Sequence, residues 1–172
     1  MAARRQGSGR EKEWESGERQ GLSLEQAVSL LLEECRMVVP GVQALFGFQL
    51  IAVFTDAFGR ELSAGEQRLH IAAVVLGVLA LGLVMAPAAV HRQAEPHAVS
   101  DRFVHVASRL LLFSMIPLGL AISLDAYVVS RVVFHSRGAA LAVSGSLFTF
   151  LMLVWLVLPR VLRARQGGPT AR

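Results

Sequence analysis

The residues of this chain that are best suited to chemistry are a few polar side chains inside long apolar stretches. Gln43 and Gln49 lie in the first stretch, and Asp125 and Tyr127 lie near the end of the third. Side chains of this kind either hydrogen-bond neighbouring helices together or line the path of a transported ion. Both interpretations stay open, and these four residues form the candidate polar cluster.

A second set of ionisable residues stands at the opposite ends of the same stretches. Glu34 precedes the first apolar stretch, and Arg109 lies near the start of the third. We expect Glu34 and Arg109 to form an ion pair that ties the two helices together, because a long arginine side chain near a membrane boundary reaches polar partners easily. The alternative is that this pair binds a substrate or a lipid headgroup.

The histidines raise the question of a haem group. His70 and His135 are expected at one end of the helices, and His91 and His105 at the other, so paired axial ligands are conceivable. The sequence contains no glycine-rich phosphate loop, nucleophile elbow or zinc-protease histidine pair. We therefore predict no enzyme activity, no metal site and no cofactor, with haem-based electron transfer as an alternative.

The elements that must position these residues are membrane-spanning helices. Hydrophobic residues make up 53% of the chain and charged residues only 17%, against about 25% charged residues in soluble proteins. Several apolar stretches reach the roughly 20 residues that a helix needs to cross a bilayer. The predicted spans are 37–56, 70–90, 104–129 and 139–159. Because the connections are short, we predict an all-α, antiparallel four-helix membrane bundle.

The depth of the polar groups bears on the transport interpretation. At about 1.5 Å per residue, the bilayer centre should fall near 46–47, 79–82, 117–119 and 148–150. None of these positions is ionisable, and Asp125 should lie roughly 5–8 Å below the outer boundary. This argues against a mid-membrane carboxylate that binds a proton and a cation in turn.

The two ends of the chain differ from its middle. Residues 1–21 mix charged and small polar residues, which is typical of a disordered tail. Residues 22–165 form the membrane domain, and 166–172 a C-terminal tail. Ser23 and Gln26 fit a capping box that begins an amphipathic helix, which either lies along the inner membrane surface or packs under the bundle. Pro40 should kink the chain where this helix enters the membrane.

The charge distribution predicts the orientation. Thirteen of the seventeen cationic residues fall on the side of the N terminus, the second loop and the C terminus, and four fall on the other side. The positive-inside rule therefore places both termini in the cytoplasm. The pI near 10.5 does not indicate a nucleic-acid partner, because the arginines flank the spans and form no basic stripe with aromatic residues.

Small residues at four-residue spacing predict close helix contacts, because they let helix backbones approach in lipid. Three such pairs are Ala73 with Gly77, Gly119 with Ser123, and Ala142 with Ser146.

Two segments carry a resemblance to a known family. ECRMVVPGVQALFGF at 34–48 and APAAVHR at 86–92 are similar to the signatures of a family of small bacterial, mainly actinobacterial, membrane proteins. That family is a domain of unknown function, and the resemblance covers residues 24 to about 160. It implies a four-helix fold and a plasma-membrane location. Some of its relatives carry automatic sodium:proton antiporter labels.

We therefore expect a non-enzymatic protein of the plasma membrane that assembles with itself or with another membrane protein. A small ion- or proton-coupled transporter or channel subunit is the first alternative, and a haem-binding electron-transfer protein is the second. The lipid bilayer is the expected surrounding in each case.

Overall fold

The chain folds into long helices joined by short connections. The computed structural model describes residues 23–94 and 100–166. The helices are α1 (Leu24–Val53), α2 (Asp56–Glu61), α3 (Ala64–Ala94), α4 (Asp101–Phe134), α5 (Arg137–Met152) and α6 (Leu158–Gln166), with a π-helical segment Leu153–Val157 between the last two. The predicted tail 1–21 and residues 167–172 lie outside the described residues.

Four helical stretches are long and apolar enough to cross a membrane. They are Gln26–Val53, Ala64–Gln93, Asp101–Phe134 and Arg137–Arg165. This confirms the predicted all-α membrane bundle. The helices extend past most of the predicted span ends, whereas α1 ends at Val53, short of the predicted 56. Backbone hydrogen bonding does not depend on side-chain polarity, so a helix need not end where its apolar stretch ends.

The capping box at the start of α1 is confirmed. Ser23 Oγ accepts a hydrogen bond from the Gln26 backbone N–H at 3.3 Å, and Gln26 Oε1 accepts one from the Ser23 N–H at 3.0 Å. The helix then runs through Pro40 as a single element of 30 residues. The predicted amphipathic segment and the first span are therefore one helix.

The apolar face at the start of α1 is packed against the bundle. Val28, Leu31 and Cys35 are buried there. Together with residues of α3 and α4 they form one apolar cluster, completed by Val84, Phe103, Ala107 and Leu111. Of the two predicted positions for the amphipathic segment, the structure has the packed one.

Helices α3 and α4 form the centre of the bundle. Helix α1 packs mainly on α3, while α5 packs on α4. Short connections make consecutive spans antiparallel. We name the end of the bundle that contains α2 the α2 end, and the opposite end, where α1 begins and α6 finishes, the terminal end. The apolar cluster lies toward the terminal end.

The π-helical segment is a feature that the sequence analysis did not predict. Leu158 N–H donates to the carbonyl of Leu153, five residues earlier. Pro159 follows at once, and a proline ring clashes with the carbonyl four residues before it in a regular α-helix. The wider turn relieves this clash and allows the last span to continue into α6.

The three predicted small-residue pairs have different positions. Ala73 is fully buried, and a Cβ on Gly77 would lie 3.4 Å from Gln49 Oε1. A Cβ on Gly119 would come within 2.6 Å of the terminal methyl group of Met152. These pairs allow α3 to approach α1, and α4 to approach the last span. Ala142 and Ser146, by contrast, are exposed.

The contact between α4 and α5 includes one hydrogen bond that mutation can test. Ser144 Oγ donates to the Ser123 carbonyl at 2.7 Å, while Ser146 Oγ donates to Val143 in its own helix. Ser144→Ala should lower the free energy of unfolding by about 0.6 kcal/mol, the average for hydrogen bonds between membrane helices. Ser146→Ala is the matched control and should have almost no effect in SDS unfolding of detergent-solubilised protein. Equal losses for both variants would contradict the cross-helix role of Ser144.

Candidate functional site

The buried face of α1 includes a residue of the site. Val28, Cys35, Val42 and Gln49 recur every seven residues, which is close to two helical turns, and all four are buried. The first three are apolar and pack accordingly. Gln49 is only 3% exposed, so its amide needs hydrogen-bond partners inside the bundle.

Gln49 contacts two other helices, through its side-chain NH2 group and through its backbone carbonyl, while its side-chain oxygen Oε1 is buried without a hydrogen-bond partner among the described residues. Gln49 Nε2 donates a hydrogen bond to Asp125 Oδ2 of α4 at 2.5 Å. His70 of α3 has its Nε2 atom 2.9 Å from the Gln49 backbone carbonyl, and its Nδ1 atom lies 3.4 Å from Asp125 Oδ1. The three residues thus join α1, α3 and α4 near the α2 end, and we name them the three-helix cluster.

The contact between His70 and Asp125 differs from the other two. At 3.4 Å it lies within ion-pair range, yet Asp125 Oδ1 is buried without a hydrogen-bond partner among the described residues. The second oxygen of the same carboxyl group is fully engaged with Gln49. The site therefore presents one satisfied and one unsatisfied carboxyl oxygen, with an imidazole nitrogen facing the latter.

The short helix α2 covers the cluster. Phe58 packs edge-on against the His70 ring, with the ring centroids 5.3 Å apart. Gln67 Nε2 donates to the Leu62 carbonyl at 3.0 Å, which holds the end of the α2 segment against α3. Phe58 thus lies between His70 and the α2 end of the bundle.

One turn nearer to that end is a charged pair. Arg131 Nε donates to Glu66 Oε1 at 2.8 Å, which joins α4 to α3. The other oxygen, Glu66 Oε2, accepts from the Ser63 N–H and hydroxyl at 2.9 and 2.8 Å. Glu66 precedes His70 by four residues and lies on the same face of α3. The charged pair and the three-helix cluster are consecutive layers of one polar region.

Two members of the candidate polar cluster meet as expected, and two do not. Gln49 and Asp125 are in contact. Gln43 is exposed, because it follows the buried Val42 by one residue and so lies about 100° away around the helix. Tyr127 is half-buried, and within residues 23–94 and 100–166 its hydroxyl makes no hydrogen bond. The site therefore does not include these two side chains.

The expected ion pair at the terminal end needs correction. Within the described part of the chain, no ion pair joins Glu34 to Arg109, and both side chains are exposed. The neighbouring residues Ala107 and Leu111 of α4 are buried in the apolar cluster. Arg109 lies about 200° from each of them around the helix, so its side chain points away from α1.

His70 and Glu66 are site residues that the sequence analysis missed. The sequence pattern predicts His70 at the membrane boundary. The spacing of the residues could have indicated them, because Glu66, His70 and the buried pair Ala73 and Gly77 are three or four residues apart. Residues at this spacing lie on one face of a helix. Extending the small-residue face of α3 in this way would have placed both polar residues inside the bundle.

The arrangement can form hydrogen bonds and exchange protons. A carboxyl group, an imidazole and an amide are present, but a nucleophile with its oxyanion donors is not part of the cluster. Across the described residues, no three His, Cys, Asp or Glu side chains converge as a metal site.

Comparison with known proteins identifies a family for the chain but no characterised relative. No curated protein and no solved structure is significantly similar to it. The model of a family of unknown function, DUF6328, matches residues 17–159. That match includes the first three membrane-length helices, the fourth up to residue 159, and every residue of the three-helix cluster. The chain therefore belongs to the DUF6328 family.

Proposed function

We propose that this protein is a non-enzymatic, multi-pass protein of the plasma membrane that acts as a small transporter or channel subunit. The observation that carries the proposal is Asp125, a carboxyl group within a membrane-length helix that binds side chains of two other helices. Ionisable groups in such positions are costly to bury and are characteristic of ion and proton pathways. The three-helix cluster is the proposed ion-handling site.

The proposed orientation has both chain ends in the cytoplasm and the α2 end outside. The excess of arginine on the side of the chain ends supports it. Gln49 lies four residues before the end of α1, about 6 Å along the axis, and Asp125 lies nine residues before the end of α4, about 14 Å. The cluster would accordingly be reached from the external side of the membrane.

The position of His70 is the reason for ranking transport above self-assembly. From the sequence, Asp125 had only amide and hydroxyl neighbours, and hydrogen bonding between helices was then the simpler explanation. A buried imidazole facing the carboxyl group adds a second titratable group at the same point. Two adjacent titratable groups suit proton or cation handling, whereas neutral hydrogen bonds would suffice to join the helices.

Flux measurements test this proposal. The full chain would be reconstituted in vesicles that contain a pH-sensitive dye, and a proton or alkali-cation gradient would be imposed. We expect a pH change with the wild type and its loss with Asp125→Asn. Asp56→Asn is the matched control, because Asp56 is an exposed carboxylate of α2, and it should behave as the wild type. Silence of the wild type, or full activity of Asp125→Asn, would refute the transport function.

Self-assembly remains a second candidate, favoured by the exposed pair Ala142 and Ser146. The other two small-residue pairs serve helix contacts within the chain, whereas this pair lies on the face of α5 opposite to α4. We propose that a second copy of the chain packs on this face of α5. In a Cys35→Ala background, Ser146→Cys should form an intermolecular disulfide in membranes. Leu141→Cys, on an exposed but different face, should not, and equal yields would argue against this interface.

The histidines give the haem alternative no similar support. Nε2 of His70 lies against the Gln49 carbonyl, and Nδ1 faces Asp125 Oδ1 at 3.4 Å. His91 packs against Phe103 at a centroid distance of 5.5 Å, while His105 and His135 are exposed. An axial ligand needs a ring nitrogen that faces the iron, whereas Nδ1 of His70 faces the Asp125 carboxyl group.

A further inference from the structure

We infer that the three-helix cluster is a binding site for a single proton, which His70 Nδ1 and Asp125 Oδ1 share. The inference deepens the proposed function by naming the species that the site takes, and its physiological use rests on that function. Its physical basis is the count of donors and acceptors around the two groups.

The first step concerns the other nitrogen of His70. Its Nε2 atom lies 2.9 Å from the backbone carbonyl of Gln49. A carbonyl oxygen only accepts hydrogen bonds, so Nε2 must carry a hydrogen for this contact to be favourable. In neutral histidine only one ring nitrogen is protonated. The Gln49 carbonyl therefore fixes the tautomer and leaves Nδ1 of a neutral His70 as a bare acceptor.

The second step concerns the atom that this acceptor faces. Nδ1 lies 3.4 Å from Asp125 Oδ1. If Asp125 were ionised and His70 neutral, two acceptors would face each other in a buried position, which is unfavourable. One added proton removes the conflict, either as a carboxylic acid that donates to Nδ1 or as an imidazolium that donates to Oδ1. In both forms the pair holds one more proton than ionised aspartate and neutral histidine together.

Electrostatics also favours one proton shared by His70 and Asp125. With one shared proton the pair has no net charge; without it the charge is −1, and with two protons it is +1. A buried net charge is costly, whereas a neutral pair with satisfied hydrogen bonds is tolerated. Asp125 Oδ2 is already satisfied by the Gln49 amide. The one-proton state thus leaves the pair with neither two facing acceptors nor a net charge.

The neighbouring charged groups do not neutralise the His70–Asp125 pair in place of that proton. Glu66 and Arg131 neutralise each other one turn away. On α2, the charged residues Asp56, Arg60 and Glu61 are exposed. Helix α1 contributes the uncharged Gln49, and the titratable residue of α5, Arg137, is exposed at its first position. Tyr127 is the remaining titratable neighbour on α4, and it makes no hydrogen bond to the pair.

The shared proton also couples the site to α1. Gln49 binds both members of the pair, through its amide to Asp125 and through its carbonyl to His70. Loss of the proton would set the bare acceptors against each other and favour their separation. Because Gln49 spans the two groups, that separation would move or loosen the end of α1 next to α2.

Nitrogen NMR of the full chain in lipid nanodiscs tests the inference. The protein would be labelled with 15N-histidine and titrated, with the His70 signals assigned through His70→Gln. We expect the wild-type Nε2 to stay protonated throughout and Nδ1 to show one titration step. Asp125→Asn should abolish that step, since an asparagine amide donates to Nδ1 permanently. His105→Gln is the control at an exposed histidine and should leave the step unchanged.

Two results would overturn the shared proton. One is a wild-type His70 protonated at Nδ1 with a bare Nε2. The other is an unaltered titration step in Asp125→Asn. The NMR and flux results are separable: a proton step without flux refutes transport alone, whereas flux without the step refutes the shared proton alone.

Discussion

Replacing Gln49 by leucine should destabilise the protein by about 1–3 kcal/mol, the range for leaving a buried polar partner unsatisfied. The variant removes the amide that satisfies Asp125 Oδ2, while leucine occupies a similar volume. The loss should exceed the average of about 0.6 kcal/mol for a hydrogen bond between membrane helices, because the acceptor is a carboxyl group. SDS-induced unfolding in mixed micelles would measure it.

Gln43→Leu is the matched control for this prediction. It makes the same chemical change in the same helix, but Gln43 is exposed and outside the three-helix cluster. We expect the free energy of unfolding to stay the same or to rise slightly, because leucine suits an apolar surrounding better than glutamine does. A loss for Gln43→Leu as large as that for Gln49→Leu would show that the rotation of α1 is not the one described.

The second large effect is expected at the charged pair. Arg131→Ala should cost about 1.5–3 kcal/mol, the usual range for hydrogen bonds to charged groups. The side chains of Arg131 and Glu66 are only 20% and 11% exposed, so the variant leaves the Glu66 carboxylate largely enclosed without its cation. Ser63 still donates two hydrogen bonds to it, which keeps the loss from being larger. The same unfolding assay applies.

Arg60→Ala provides the comparison for Arg131→Ala. Arg60 and Asp56 also form an ion pair, at 3.9 Å, but the side chains are 74% and 94% exposed. Exposed pairs typically contribute about 0–1 kcal/mol, so this variant should be nearly neutral. If the two arginine variants unfolded alike, Glu66 and Arg131 could not form the enclosed link between α3 and α4.

Much of the fold could be predicted because membrane helices follow a simple physical rule. Long apolar stretches between charges gave the four spans, and the Ser23–Gln26 capping box gave the start of α1. Most helix ends were placed too near the apolar boundaries, since hydrogen bonding continues beyond them, while the end of α1 was placed too late. The π-helical turn before Pro159 also escaped prediction, because proline predicts a distortion but not its form.

The site could be predicted only in part, because composition does not fix the rotation of a helix. Gln49 and Asp125 were expected to meet and do so. Gln43 was expected to join them, but it follows the buried Val42 by one residue and therefore faces away from the bundle. Arg131 lies beyond the predicted third span, 104–129, and yet it pairs with Glu66 inside the bundle.

The depth of a side chain was equally hard to read from the sequence. His70 was assigned to the boundary from its place next to an apolar stretch, whereas α3 begins six residues earlier, at Ala64. That extra length carries His70 below the helix end and beneath Phe58. The polar neighbour of Asp125 that matters most for its chemistry was therefore absent from the expected cluster.

A double-mutant cycle between Gln49 and Asp125 tests the central claim most directly, namely that α1 and α4 meet through these two side chains. Unfolding free energies would be measured for Gln49→Leu, Asp125→Asn and the double variant. We predict a coupling energy of about 1 kcal/mol or more, above the average for polar contacts between membrane helices. Additivity to within about 0.3–0.5 kcal/mol, as for residues without a shared contact, would contradict the account.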